Sequence, residues 1–229
     1  MFGKAIIPNT LTMLNLVMGC FALLAHDVQD AFMFVLFAAF ADLLDGLVAR
    51  AIGAASEMGK QLDSLADVVS FGVVPSFWLF RLLEPEIKMW AALAFLLAVA
   101  AAFRLARFNL DTSKSTGFKG LPVPANGLFW LSVLSLTETE PLSNSVLIGL
   151  ILLFAFLMAS TLPLISFKFS NFSWKENAMK FILIGSIIIA AIGSHFILKK
   201  VLWTVPIALL LYLILSAVQH LFGKYHEKI

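Results

Sequence analysis

The sequence predicts an all-α protein, a polytopic transmembrane bundle of about eight spanning helices with both termini on the cytoplasmic side. Composition is the first reason: 61% of the 229 residues are apolar and only 13% charged, against roughly 45–50% and 25% in soluble domains. The second is patterning, because the apolar residues fall into runs of about 20, the length that crosses a bilayer. The third is the distribution of charge. With the amino terminus inside, the outer turns hold Arg81, Lys88, Lys199 and Lys200, and the other 12 of the 16 Lys and Arg lie at inner ends, as the positive-inside rule requires. No basic cluster interleaved with exposed aromatics points to nucleic acid, and the 22 Phe suit lipid-facing helices. The single Cys20 excludes an intramolecular disulfide or a cysteine metal cluster and is expected to be a small helix-packing residue.

The first helix covers residues 5–25. Val17-Met18-Gly19-Cys20 has a faint likeness to a lipoprotein cleavage site, but Pro8, Asn9, Thr10, Thr12 and Asn15 put too many polar groups into the apolar core of a signal peptide. A retained helix is therefore expected, with Asn9 and Thr12 on one face. His26 to Asp30 make an acidic turn. A second helix follows at about 31–52 and a third at about 60–82, with a short polar turn between them containing Gly53, Ser56, Glu57, Gly59 and Lys60. Arg81, Glu84, Pro85, Glu86 and Lys88 break the chain before a fourth helix at about 88–108. A polar loop, NLDTSKSTGFKG, leads through LPVP into a fifth helix at about 121–137, since Pro122 and Pro124 permit a helix start but not an interior. A sixth occupies about 145–167. The last two, about 180–198 and 201–222, carry no intramembrane acid and read as scaffold. Residues 1–167 thus form a six-helix core, and residues 168–229 add two helices.

Function is concentrated in residues 42–67, DLLDGLVARAIGAASEMGKQLDSLAD. Asp42, Asp45, Asp63 and Asp67 lie in segments otherwise apolar enough for lipid, where an ionised carboxylate costs about 3 kcal/mol or more. Four acids close together repel one another and need a cation to ionise together. On helices, Asp42 and Asp45 share one face and Asp63 and Asp67 another. If the turn between them marks the membrane surface, Asp42 and Asp67 both lie roughly 10–12 Å deep, with Asp45 and Asp63 shallower. Two antiparallel helices would then gather all four as a metal site, and all-oxygen ligation suits magnesium or manganese.

Written as a pattern, the stretch is D-x2-D-G-x2-A-R-x8-G-x3-D-x3-D, with eight fixed positions in 26 residues. It resembles the motif of the CDP-alcohol phosphatidyltransferases, and Asp42, Asp45, Gly46, Ala49, Arg50, Gly59, Asp63 and Asp67 fill every position. The resemblance implies that the aspartates hold two divalent cations on the diphosphate of a CDP-linked lipid and that Asp67 is the base. It also implies a homodimer, and the distribution of basic residues places the site on the cytoplasmic side of the cytoplasmic membrane. Arg50 can neutralise phosphate oxygens, and Gly46 and Gly59 leave room for the nucleotide to approach the backbone. IPNTLTMLN resembles the P-N-x-x-T opening of the same family, whose first helix borders the nucleotide, which places Asn9 and Thr12 there. Helix capping by Asn9 and Thr10 is the plainer alternative.

RLARFN (104–109) followed by FKGLPVP (118–124) resembles the serine-using branch of that family, the phosphatidylserine synthases. The resemblance implies CDP-diacylglycerol and L-serine as substrates, and by their charge Arg104, Arg107 and Lys119 could bind an anionic acceptor group such as the serine carboxylate. The same cations could bind the phosphate of another acceptor, such as glycerol 3-phosphate or an inositol phosphate, or anchor helix ends at an anionic leaflet. A divalent-cation transporter fits less well. Its ionisable groups belong near the midplane at a repeat interface, whereas these aspartates sit toward one side with no evident internal repeat.

Overall fold

In the computed structural model the described residues are 3–111, 118–164, 174–196 and 201–226. They divide into two compact units. The first, residues 1–112 and 121–159, holds the aspartates. Its elements are α1 (Ile6–Leu24), α2 (Val28–Ala51), α3 (Glu57–Asp67), a π-helical segment (Val68–Val73), α4 (Val74–Ile87), a 3-10 segment (Lys88–Phe95) and α5 (Leu96–Leu110). Two further helices, α6 (Val123–Thr137) and α7 (Asn144–Ala159), complete it.

Among the described residues, three helical stretches are long and apolar enough to cross a membrane: Ile6–Leu24, Val28–Ala51 and the run Glu57–Leu110. The third stretch doubles back. Lys88 has φ 50° and ψ −124°, and beyond it the two legs lie side by side: Phe80 meets Phe95, Gly72 meets Ala98 and Ala101, and Lys60 reaches Asn109. The break was expected across 81–88, yet the helix continues through Pro85 to Ile87. A proline that close to a helix end leaves few backbone bonds to disrupt, so the reversal falls at Lys88.

The legs of the first unit alternate in direction. α1 is antiparallel to α2, with Phe21 against Phe34 near one end and Thr12 against Asp45 toward the other. It is parallel to the α3–α4 leg, as Asn15 meets Asp67 and Trp78 Nε1 donates to the Ala22 carbonyl. α6 is buried on every side from Phe129 to Leu136, as the central helix of a bundle must be. At the end remote from the aspartates, Gln29 donates to Glu138, Asn144 donates to Glu86, and the Arg81 guanidinium lies over Trp78.

Small residues let these legs approach, as they do between helices in lipid. A Cβ on Gly19 would lie 2.4 Å from Ser70 Oγ, and one on Gly127 would lie 2.8 Å from Phe71 Cα. α1 buries Pro8, Thr12, Asn15, Gly19 and Ala22 and exposes Ile6, Ile7, Leu14, Val17, Phe21 and Leu24. Its polar and small face is the inner one. Cys20, expected to be a packing residue, lies on the exposed side, because the inner seam passes through Gly19. Capping by Asn9 and Thr10 is also not seen. α1 already starts at Ile6, Pro8 sits in its first turn where no backbone donor is needed, and the Thr10 hydroxyl bonds the Ile6 carbonyl.

The second unit comprises residues 113–120 and 160–229. In it β1 (Phe118–Lys119) pairs antiparallel with β2 (Pro163–Leu164), Lys119 opposite Pro163. Gly120, at φ 72°, takes a conformation that favours glycine and donates to the Leu162 carbonyl. The expected sixth helix to 167 therefore ends at Ala159. Pro163 disfavours helix in the residue before it, and β2 takes its place, so the two-residue pairing is a small departure from an all-helical chain. The unit also holds α8 (Trp174–Phe196), a short 3-10 turn (Val201–Trp203) and α9 (Thr204–His226). The hydroxyls of Ser194 and Thr204 lie 2.6 Å apart, tying α8 to α9.

Candidate metal centre

The turn between α2 and α3 is shorter than expected. Gly53 has φ 62° just past α2, a left-handed helix-ending conformation. Ser56 then caps α3, its hydroxyl accepting from Gly59 N at 3.0 Å. Glu57 and Lys60 are thereby already helical. The two helices fold back on each other and bring Asp42, Asp63 and Asp67 together. Each can offer one carboxylate oxygen, and these oxygens all lie within 4.8 Å of one another.

Asp45 lies one turn along α2 and is turned toward α1, where the Thr12 hydroxyl donates to its Oδ2 at 2.5 Å. Asn15 Nδ2 donates to Asp67 Oδ1 at 3.1 Å. Asp63 Oδ1 is buried with no hydrogen-bond partner among the described residues. A buried anionic oxygen without a partner is expensive, and a hard cation with oxygen ligands is the natural remedy. The three-carboxylate cluster therefore fits a divalent ion of the magnesium or manganese kind.

The other fingerprint residues surround this cluster. The Arg50 guanidinium folds back along α2, so that a Cβ on Gly46 would meet its Nη1 at 3.5 Å. The surface over Gly46 is thus occupied by Arg50. A Cβ on Gly59 would come within 3.2 Å of Asn9 Oδ1, which brings Asn9 to the start of α3. Ala49 is half-buried beside Arg50.

The RLARFN segment closes α5 against α3. Lys60 Nζ donates to the Asn109 carbonyl at 3.0 Å, and Asn109 Nδ2 donates to Ser64 Oγ at 2.9 Å. In the register of these two legs, the buried Arg104 is level with the last turn of α3, which holds Asp67. Arg107 donates to the Ala159 carbonyl at 2.8 Å, at the carboxyl end of α7, where a cation also suits the helix dipole. Lys119 is in β1 of the second unit, and its side chain lies outside the described residues.

Asn15 and Ser70 were not singled out from the sequence. Asn15 holds Asp67, and the Ser70 hydroxyl donates to the Asn15 carbonyl at 3.0 Å. A signal was present in the spacing: Pro8, Thr12, Asn15, Gly19 and Ala22 recur at alternating steps of four and three, a continuous helix seam.

The family model for CDP-alcohol phosphatidyltransferase matches residues 5–169. The chain belongs to that family, and it is a membrane-embedded transferase enzyme; the transporter reading falls away. Among its relatives, the CDP-diacylglycerol–serine O-phosphatidyltransferase of Methanocaldococcus jannaschii is 37% identical over 149 residues, 64% of this chain and 70% of that protein. The Bacillus subtilis protein of the same name is 35% identical over 168 residues, covering 71% and 91% of the two chains. The Helicobacter pylori one is 31% identical over 187 residues, 77% of each.

Proposed function

We propose that this chain transfers the phosphatidyl group of CDP-diacylglycerol to the hydroxyl of L-serine, giving phosphatidylserine and CMP. The observation that carries the reading is the convergence of Asp42, Asp63 and Asp67, within a family fingerprint, on one small volume between apolar helices. The names of the relatives support serine as acceptor. In the reaction the serine oxygen bonds to the lipid-side phosphorus as the bond from that phosphorus to the bridging oxygen breaks. CMP departs with the electron pair as a stabilised phosphate and needs no general acid.

Two divalent cations, magnesium or manganese, held by Asp42, Asp45, Asp63 and Asp67, would neutralise the diphosphate oxygens and make the attacking hydroxyl more acidic. Asp67 accepts the hydroxyl proton. Asn9, Thr12, Gly46, Ala49, Arg50 and Gly59 hold the nucleotide side, with Arg50 against phosphate oxygens. Arg104, Arg107 and Lys119 orient the acceptor by its carboxylate. The acyl chains of the donor stay in the bilayer while its head group reaches the aspartates, which accounts for acids placed in apolar helices.

The working unit is a homodimer in the cytoplasmic membrane, with eight spans, both termini inside and the aspartates opening to the cytoplasm. Residues 1–167 form the catalytic core and residues 168–229 an added helical pair. The test supplies purified protein and CDP-diacylglycerol with serine, glycerol 3-phosphate or inositol in separate reactions and measures CMP. Release with serine alone is expected. Release with glycerol 3-phosphate and none with serine would overturn the acceptor while leaving the phosphatidyl-transfer chemistry in place.

A further inference from the structure

Asn15 is fully buried in the middle of α1, where a leucine would cost less. Its amide nitrogen reaches Asp67 Oδ1, while its own Oδ1 has no partner. The bond to Asp67 is thus the one hydrogen bond this side chain makes among the described residues, and an unmet buried acceptor costs about 1–3 kcal/mol. A carboxylate accepts only, which fixes the orientation of the amide.

The choice of group is chemical. A lysine here would compete with a cation for Asp67, and another acid would add to the repulsion among the carboxylates. An amide donates a hydrogen bond and brings no charge. It also restrains a torsion that is otherwise soft, since the terminal torsion of aspartate is broad.

The main chain reinforces this arrangement. Asp67 is the last residue of α3, and the backbone changes to π-helical geometry at Val68. Ser70, inside that segment, donates to the Asn15 carbonyl. Gly19, one turn beyond Asn15, lets α1 approach until a Cβ would strike Ser70. α1 is therefore joined to the Asp67 segment by a bond from the Asn15 side chain, a bond from the Ser70 hydroxyl to the Asn15 carbonyl and a close contact at Gly19, all within about one turn. Irregular helical turns of this kind cluster at functional sites, and this one is held from outside.

We propose that Asn15 is a positioning residue for the reaction. Its amide fixes the plane of the Asp67 carboxylate through Oδ1 and leaves Oδ2 for the cation or the serine hydroxyl. The inference rests on the role given to Asp67 above.

The test measures steady-state kinetics of the full chain with saturating divalent metal for Asn15→Leu, which keeps the branched shape with bulkier methyl groups and removes the donor, and for Asn15→Ser, which retains one. Removing an outer partner of a ligating carboxylate costs about 10–100-fold. Asn15→Leu should lose that factor in kcat with both KM values unchanged, and Asn15→Ser should recover part of it. If Asn15→Leu does not fold, Asn15→Ala, which only removes atoms, should show the same kcat loss. Normal kcat in the leucine or alanine variant, with Asp67→Asn inactive, sinks the positioning role and spares the proposed function. A raised KM for CDP-diacylglycerol at normal kcat makes Asn15 a substrate contact and also overturns the inference. Full activity in Asp67→Asn overturns the role given to Asp67, and with it the inference, while leaving the proposed transfer reaction in place.

Discussion

α1 and α7 bury residues at the same spacing and do opposite things with them. α7 turns inward Leu147, Ile151, Phe154 and Met158; α1 turns inward Pro8, Thr12, Asn15, Gly19 and Ala22. Both seams advance by alternating steps of four and three. α7 fills its seam with bulk, and Phe154 stacks on Phe129 at 4.3 Å. α1 fills its seam with small and polar groups that reach Asp45, Asp67 and Ser70. Periodicity therefore tells which residues face inward, and their chemistry tells whether they face packing or a site. Where lipid surrounds the bundle, hydrophobic contrast no longer separates inside from outside, so a polar seam is the more informative signal.

The contrast can be tested in order of expected effect. Asp67→Asn, at the end of the α1 contacts, should lower CMP release by about 10²–10⁴-fold, the usual contribution of a general base, with the melting temperature in detergent preserved. Asp42→Asn and Asp63→Asn should lose activity together with stabilisation by added magnesium or manganese, read as a shift in melting temperature. Two of these variants at full activity would remove the metal assignment.

Phe154→Ala, on the bulky seam, should do the reverse. Stability should fall by about 2 kcal/mol, less than the 3–5 of a water-soluble core because the lipid reference is already apolar. Turnover per folded molecule should stay normal, as judged by activity normalised to monodisperse protein. Gly19→Ala should cost about 1–2 kcal/mol by overpacking against Ser70, and unlike Phe154→Ala it should also lower kcat. If both variants affect stability alone, the two seams do not differ in function.

The smallest effects are expected at the RLARFN end. Arg104→Gln or Arg107→Gln should raise KM for serine several-fold, and KM for CDP-diacylglycerol little, since glutamine still donates a hydrogen bond and only the charge-assisted part, about 1 kcal/mol, is lost. Arg107 already serves the Ala159 carbonyl, so Arg107→Gln should also lower the melting temperature slightly. Equal KM changes for both substrates would point to a general electrostatic role.

The sequence by itself determined the family of the protein and the convergence of Asp42, Asp63 and Asp67. Four aspartates in apolar helices, at i, i+3 and i, i+4 and flanking one turn, have few physical uses other than holding cations. Local spacing suffices to place such a set. Helix ends were legible only to within several residues, because Pro85 sits where α4 tolerates it and the reversal waits for Lys88. The extension of the sixth helix past Ala159 failed for a local and a non-local reason, Pro163 and the pairing of residues 163–164 with 118–119. Only the tertiary structure decided that Asn15 would reach Asp67, that Thr12 would turn Asp45 toward α1, and that Arg107 would bond the end of α7. Each of these contacts joins residues more than 30 positions apart. Their geometry depends on how closely two helices approach, and that distance is set by glycines and serines such as Gly19 and Ser70, whose role is invisible until the helices are packed.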